Sequence, residues 1–168
     1  MRLLGLDPGL RVTGWGIIDV TGNHLRWVAD GVVRSDGDAP LSGRLAALHQ
    51  GIRDVIAGYS PDEAAIERTF VNMNPESTLK LGQARGAVLV AAALAGLRVD
   101  EYAPTAVKQA VVGTGRAAKD QVGMMIRQLL PGCQAGTADA ADALAVAVCH
   151  AHLRQHNRRL EQALEKKR

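Results

Sequence analysis

Arg2-Leu3-Leu4-Gly5-Leu6-Asp7-Pro8-Gly9 decides how this chain folds. Leu3 to Leu6 is an apolar run that stops at an acid followed by Pro-Gly. Proline removes a backbone donor and glycine admits dihedrals closed to other residues, so the run reads as a short strand ended by a turn, with Asp7 at its tip. Moving outward, Val12–Val20 and His24–Val33 read as two further strands. They are joined through Thr21-Gly22-Asn23, a hairpin-type signal. Gly14 and Gly16 inside the first of them predict a bulge or a close backbone approach.

Beyond the hairpin the period changes. Leu41, Leu45, Leu48, Ile52, Val55 and Ile56 follow helical spacing, which predicts an amphipathic helix over 41–58. Pro61 then introduces a short strand, Ala64–Glu67. A polar loop, Asn72 to Ser77, leads into a long helix through about Leu94, with Ser77 or Thr78 as its cap. Small residues lie on several faces of that helix (Gly82, Ala84, Gly86, Ala87, Ala91, Ala92), as close packing against a sheet or a second subunit requires. Leu97–Tyr102 reads as a strand and Pro104–Val112 as a short helix broken at Gly113-Thr114-Gly115. Lys119–Leu130 is a helix stopped by Pro131-Gly132. The last helix begins near Thr137 and runs into the 150s. The order β-β-β-α-β-α-β-α-α-α predicts an α/β protein with a mixed five-stranded sheet flanked by helices. One domain is expected over 1–155, followed by a basic tail, 156–168, frayed or disordered.

Composition removes several classes. The 168 residues suit one domain and need no metal or disulfide merely to fold. Two cysteines, Cys133 and Cys149, exclude a disulfide scaffold or a Cys-rich zinc site and suit a reducing cytoplasm. The N-terminus lacks the long apolar stretch of a signal peptide, and the longest apolar run, Ala87–Ala95, is too short to span a bilayer, so no membrane role is expected. Aromatics make up only 3% of the chain, so the core must be aliphatic and an exposed ring needs a reason.

The net charge of +3 is unevenly spread. Residues 154–168 hold six basic and two acidic groups, and residues 68–119 hold seven basic and three acidic. The flanking stretches, 1–67 and 120–153, are net acidic. Basic surface beside carboxylates suits a polyanion met through divalent cations.

Four acids stand out by position. Asp7 and Glu67 each end a strand. Asp139 and Asp142 are three apart at the start of a helix, so they share a face. Strand-end and helix-start acids converge at one edge of a mixed sheet. Such a cluster needs cations to offset its repulsion, and hard oxygen ligands favour Mg²⁺ or Mn²⁺. Two ions bound together are the usual device for in-line attack on a phosphodiester.

These residues lie in longer stretches: LLGLDPGLRVTGWGII (3–18), AIERTF (65–70), LKLGQARGA (79–87), VKQAVVGTGRAAKDQV (107–122) and ADAADALAVAVCH (138–150). Together they resemble RuvC, the bacterial Holliday-junction resolvase family, over residues 2–152. The resemblance implies an RNase H-like fold and a homodimer on four-way junction DNA. It implies symmetric nicking of two strands of like polarity with Mg²⁺ or Mn²⁺, two ions per site. The family's four acids map onto Asp7, Glu67, Asp139 and Asp142, two basic residues onto Lys108 and Lys119, and a loop aromatic onto Phe70. A branch-migration motor, RuvA/RuvB, and a nucleoid-associated bacterial cytoplasmic setting are expected from the family alone.

The DNA-facing residues also have a physical reading. Lys108 and Lys119 flank the glycine-containing loop at 113–115, and lysine presents a compact charge to phosphate. That loop lacks the Gly-Lys-Ser/Thr of a nucleotide P-loop. Phe70, the only Phe, sits among polar neighbours, where a ring is placed to stack on a splayed base. Arg116, Arg68, Lys80 and Arg85 are further candidate phosphate contacts. His150, His152 and His156 read as a solvated cluster, since no further ligand completes a zinc site. The acids alone equally suit an RNase H-like nuclease acting on RNA, and a junction-binding module without catalysis is the third reading.

Overall fold

The computed structural model describes residues 1–68 and 74–165, with side chains to Arg154. The elements are β1 (Arg2–Asp7), β2 (Val12–Thr21), β3 (His24–Arg34), α1 (Leu41–Tyr59), β4 (Glu63–Glu67), α2 (Pro75–Leu94), β5 (Arg98–Tyr102), α3 (Pro104–Val112), α4 (Lys119–Leu129) and α5 (Ala138–Glu165). They form one five-stranded sheet in the order β3-β2-β1-β4-β5. The β1–β2 and β2–β3 pairs are antiparallel, and β1–β4 and β4–β5 are parallel. The predicted element order and mixed sheet are both present.

Strand alternation divides the core in two. Leu4, Leu6, Ile17, Ala64 and Ile66 point to one face, where they pack with Ile52 of α1 and Val88, Ala91 and Ala92 of α2. Leu3, Ile18, Val20 and Ala65 point to the other, against α3, α4 and α5. Asp7, Glu63 and Glu67 follow the same alternation as Leu3 and Ala65 and therefore fall on the α5 side.

Three glycines let α5 lie directly on the sheet. A Cβ on Gly5 would come 2.0 Å from the Ala143 carbonyl oxygen, and one on Gly16 would meet the Leu144 side chain at 2.6 Å. One on Gly14 would meet the Asp139 carbonyl oxygen at 2.0 Å. Of the two alternatives the sequence left for Gly14 and Gly16, close approach is the correct one. The register irregularity of β2 falls instead at Ile17/Ile18.

Two expectations need correction. Helix α2 starts before Ser77: Asn74 is its N-cap, its Oδ1 accepts from Ser77 N at 3.1 Å, and Pro75 occupies the first turn, where no donor is needed. His150 is not solvated. It is fully buried, with Nδ1 2.9 Å from the Tyr102 hydroxyl and Nε2 3.0 Å from Glu63 Oε2. His152, whose Nδ1 lies 3.2 Å from the Ala110 carbonyl oxygen, is exposed as expected, and the side chain of His156 lies outside the described residues.

Candidate active site

The parallel ladder between β1 and β4 runs from Leu3↔Glu63 to Leu6↔Ile66, so Asp7 and Glu67 emerge side by side at the strand ends. On the antiparallel side Asp7 is paired with Gly14, the residue against which α5 lies. That contact brings the first turn of α5, and with it Asp139 and Asp142, over Asp7. Asp7, Glu67 and Asp142 line one cleft of about 240 Å³, together with Lys108, Lys119 and the apolar Val107 and Val122. Asp139, one turn earlier on α5, is outside that lining but close enough to repel a charge on Asp7.

The electrostatics fit a site short of positive charge. Burial, then the charges of Asp142, Glu67 and Asp139, push the Asp7 carboxyl up to about 7, and Lys119 offsets only part of this. Burial and Asp142 raise Glu67, against the pull of Lys119 and Lys108. Lys119 Nζ donates to Asp142 Oδ2 at 2.9 Å, and this bond holds its ammonium above the ordinary lysine value. Among the described residues no three His, Cys, Asp or Glu side chains are already gathered round a single point as a metal set. The donor chemistry nevertheless fits a hard divalent cation: every ligand on offer is a carboxylate, and two of them resist ionisation for want of counter-charge.

The candidate DNA contacts separate into groups. Lys108 and Lys119 line the cleft itself. Arg116 is exposed on the α3–α4 loop. Lys80 pairs with Glu76 one turn back along α2. Arg68 lies 4.0 Å from Glu101, and Arg85 is largely buried against the same carboxylate. Phe70 lies outside the described residues.

Sequence reasoning missed the residues that support this site. Tyr102 pairs in register with Glu67, and its carbonyl oxygen accepts from Arg68 N at 2.7 Å. Its hydroxyl meets His150, and His150 in turn meets Glu63, which shares a face of β4 with Glu67. A signal was present: His150 ends a helical stretch otherwise made of Ala, Leu, Val and Cys, where an imidazole is buried and must find partners.

A mixed sheet with acids at the tips of two adjacent parallel strands, faced by acids on a crossing helix, defines an RNase H-like nuclease. The sequence model described as Crossover junction endodeoxyribonuclease RuvC matches residues 3–150, and the chain belongs to this family. A relative of that name from Paramagnetospirillum magneticum is 69% identical over 164 residues, covering 98% of this chain and 99% of the relative. One from Rhodospirillum rubrum is 71% identical over 154 residues, covering 92% and 91%. Among solved structures, T. thermophilus RuvC in complex with Holliday junction substrate is similar with a TM-score of 0.87 at 36% identity. The match covers 94% of this chain and 96% of that one. Membership of this nuclease family implies dependence on a divalent metal.

Proposed function

We propose that this chain resolves four-way DNA junctions by paired, symmetric nicks in two strands of like polarity. Asp7, Glu67, Asp139 and Asp142 are its catalytic carboxylates. The observation that carries this reading is the convergence of Asp7, Glu67 and Asp142 with Lys108 and Lys119 in one cleft. The 36% identity to a protein solved with junction DNA supports the choice of substrate.

The chain's own groups divide the work. Lys108 and Lys119 bring positive charge to the cleft and suit the phosphate of the scissile strand. Lys119 meanwhile pairs with Asp142 and offsets part of the negative charge of the cluster. The apolar side chains of Val107 and Val122 limit water on one wall and strengthen every interaction across the cleft. Asp7 lies at the centre of the repulsion, which with burial pushes its carboxyl up to about 7, so that added counter-charge favours its ionised form. Asp7, Glu67, Asp139 and Asp142 would hold Mg²⁺ or Mn²⁺, two ions per site, which when bound supply an ionised water and charge for the departing oxygen.

The active form is a homodimer, which suits a nearly two-fold substrate. Support comes from α2, whose outward face leaves Leu79, Val90 and Leu94 exposed and has open space at Gly82 and Gly86. Residues 1–155 form the nuclease domain and 156–168 a basic tail. Phe70, Arg116, Arg68 and Lys80 contact DNA, and the RuvA/RuvB branch-migration motor is the partner complex. The setting is the bacterial cytoplasm, at the nucleoid. Among the described residues no helix is long and apolar enough to cross a membrane.

Incubation with four-way DNA, duplex DNA and structured RNA, each with and without Mg²⁺ or Mn²⁺, tests this. Paired nicks at the junction point are expected. RNA cleavage, or junction binding without nicks in either metal, would overturn it.

A further inference from the structure

The C-terminal end of β4 is held on both sides of one peptide. The Arg68 N–H, immediately after Glu67, donates to the Tyr102 carbonyl oxygen at 2.7 Å. The Glu67 carbonyl oxygen itself accepts from Arg85 Nε of α2 at 3.3 Å. Arg85 Nη2 reaches Glu101 of β5, so one guanidinium bridges the Glu67 backbone, the neighbouring strand and a helix. The Arg85 side chain is only 18% exposed, and the second cation beside Glu101, Arg68, is more distant at 4.0 Å.

We infer that Arg85 is a positioning residue for Glu67, not a phosphate contact. The inference rests on the reading of Glu67 as a catalytic carboxylate. A phosphate ligand keeps its donors free and exposed, whereas Arg85 commits Nε and Nη2 to protein acceptors and its side chain is largely buried. The choice of arginine also has a reason. Two acceptors on two different strands call for a rigid, planar set of donors, and a lysine ammonium on a flexible stem cannot hold both in fixed relation. Glu67 needs such a fastening because no side chain is bonded to its carboxylate among the described contacts. Its direction therefore depends on its backbone, and a small misplacement near reacting groups lowers rate steeply.

The two roles predict opposite results in one set of measurements. As a positioning residue, Arg85→Met lowers the single-turnover nicking rate at saturating enzyme about 10- to 100-fold. Its junction Kd stays within about twofold and its salt slope is unchanged. Arg85→Lys restores part of the rate, since one donor can serve one of the two acceptors. Glu101→Gln, which keeps the side-chain volume and removes the charge that holds the far end of Arg85, also lowers the saturating rate without weakening binding. As a phosphate contact, Arg85→Met would weaken binding, reduce the salt slope by about 1 and leave the saturating rate intact, and Glu101→Gln would leave that rate intact as well. Weaker binding by Arg85→Met with an intact rate, or an intact saturating rate in Glu101→Gln, overturns the inference. If Arg85→Met does not fold, as a thermal melt will show, Glu101→Gln decides alone. Glu67→Gln is measured alongside: loss of nicking supports the reading of Glu67, and retained nicking removes that reading and this inference with it. Intact nicking by the Arg85 variants beside an inactive Glu67→Gln overturns the inference only.

Discussion

The Cβ that Gly14 lacks would fall 2.0 Å from the carbonyl oxygen of Asp139. The neighbour is backbone, so it cannot swing aside, and Gly14 is the register partner of Asp7. One absent side chain thus sets the distance between the strand acid and the helix acids. Gly14→Ala must push α5 off the sheet. It is expected to lose about 3 kcal/mol, the upper end of what overpacking does, and to abolish nicking. Gly43→Ala, at an α1 site with open space, should instead gain roughly 0.5 kcal/mol. Urea denaturation of both variants checks this; equal stabilities would refute the close-approach account.

Asp7 makes the metal-free protein more stable in acid than its carboxylate would at higher pH. Its folded pKa is raised from 3.8 to about 7. The neutral form's contribution is therefore fully present below about pH 4 and is lost as pH rises through about 7. Asp7→Asn stays neutral throughout. Relative to the parent it should be more stable at pH 8 by on the order of 1–4 kcal/mol, with the gain vanishing toward pH 4. It should also fail to nick while still binding junctions. Denaturant midpoints in chelator across this range, with a gel-shift assay, measure both.

Lys119 contributes twice, so its loss has two signatures. Lys119→Met removes the ammonium that lowers both Asp7 and Glu67. The acid limb of the pH–rate profile should move to higher pH. Loss of one phosphate-facing charge should also weaken junction binding and reduce the salt slope by about 1. A profile whose acid limb stays in place would argue against the coupling between Lys119 and the strand acids.

Much of this site is legible in the sequence alone. Period-two alternation puts Asp7 on the same face as Leu3, and the three-residue spacing of Asp139 and Asp142 puts them on one face of α5. What escaped depends on partners distant in the chain. Arg85 reads as a free cation until Glu101 is brought beside it, 16 residues on, across a helix and into a strand. The cap of α2 was misplaced because Ser77 is a good cap by type, while Asn74 before Pro75 is the better one by position. The spacing of His150 from His152 and His156 suggests a shared solvated cluster, but the face of α5 that His150 occupies packs into the core.

His150 gives a pH dependence opposite to that of Asp7. With Nε2 protonated and Nδ1 bare, the neutral ring accepts from Tyr102 and donates to Glu63, and both bonds are satisfied. Burial holds its pKa below the ordinary 6.5, against the upward pull of Asp100 and Glu63 and with Arg154 adding to the depression. As pH falls below about 6.5 the unfolded chain takes up this proton before the folded one, so stability drops. In the parent, the Asp7 and His150 contributions oppose each other between about pH 4 and 6.5. Separate variants should pull them apart. In Asp7→Asn the acid loss stands alone and steepens. In His150→Asn that loss disappears, while overall stability falls by about 1–3 kcal/mol because Glu63 loses one of its buried partners. Denaturation of the two variants in chelator from pH 4.5 to 8 should therefore give slopes of opposite sign below pH 6.5. Slopes of the same sign would mean that the buried imidazole is already charged and that its bond to Glu63 is an ion pair.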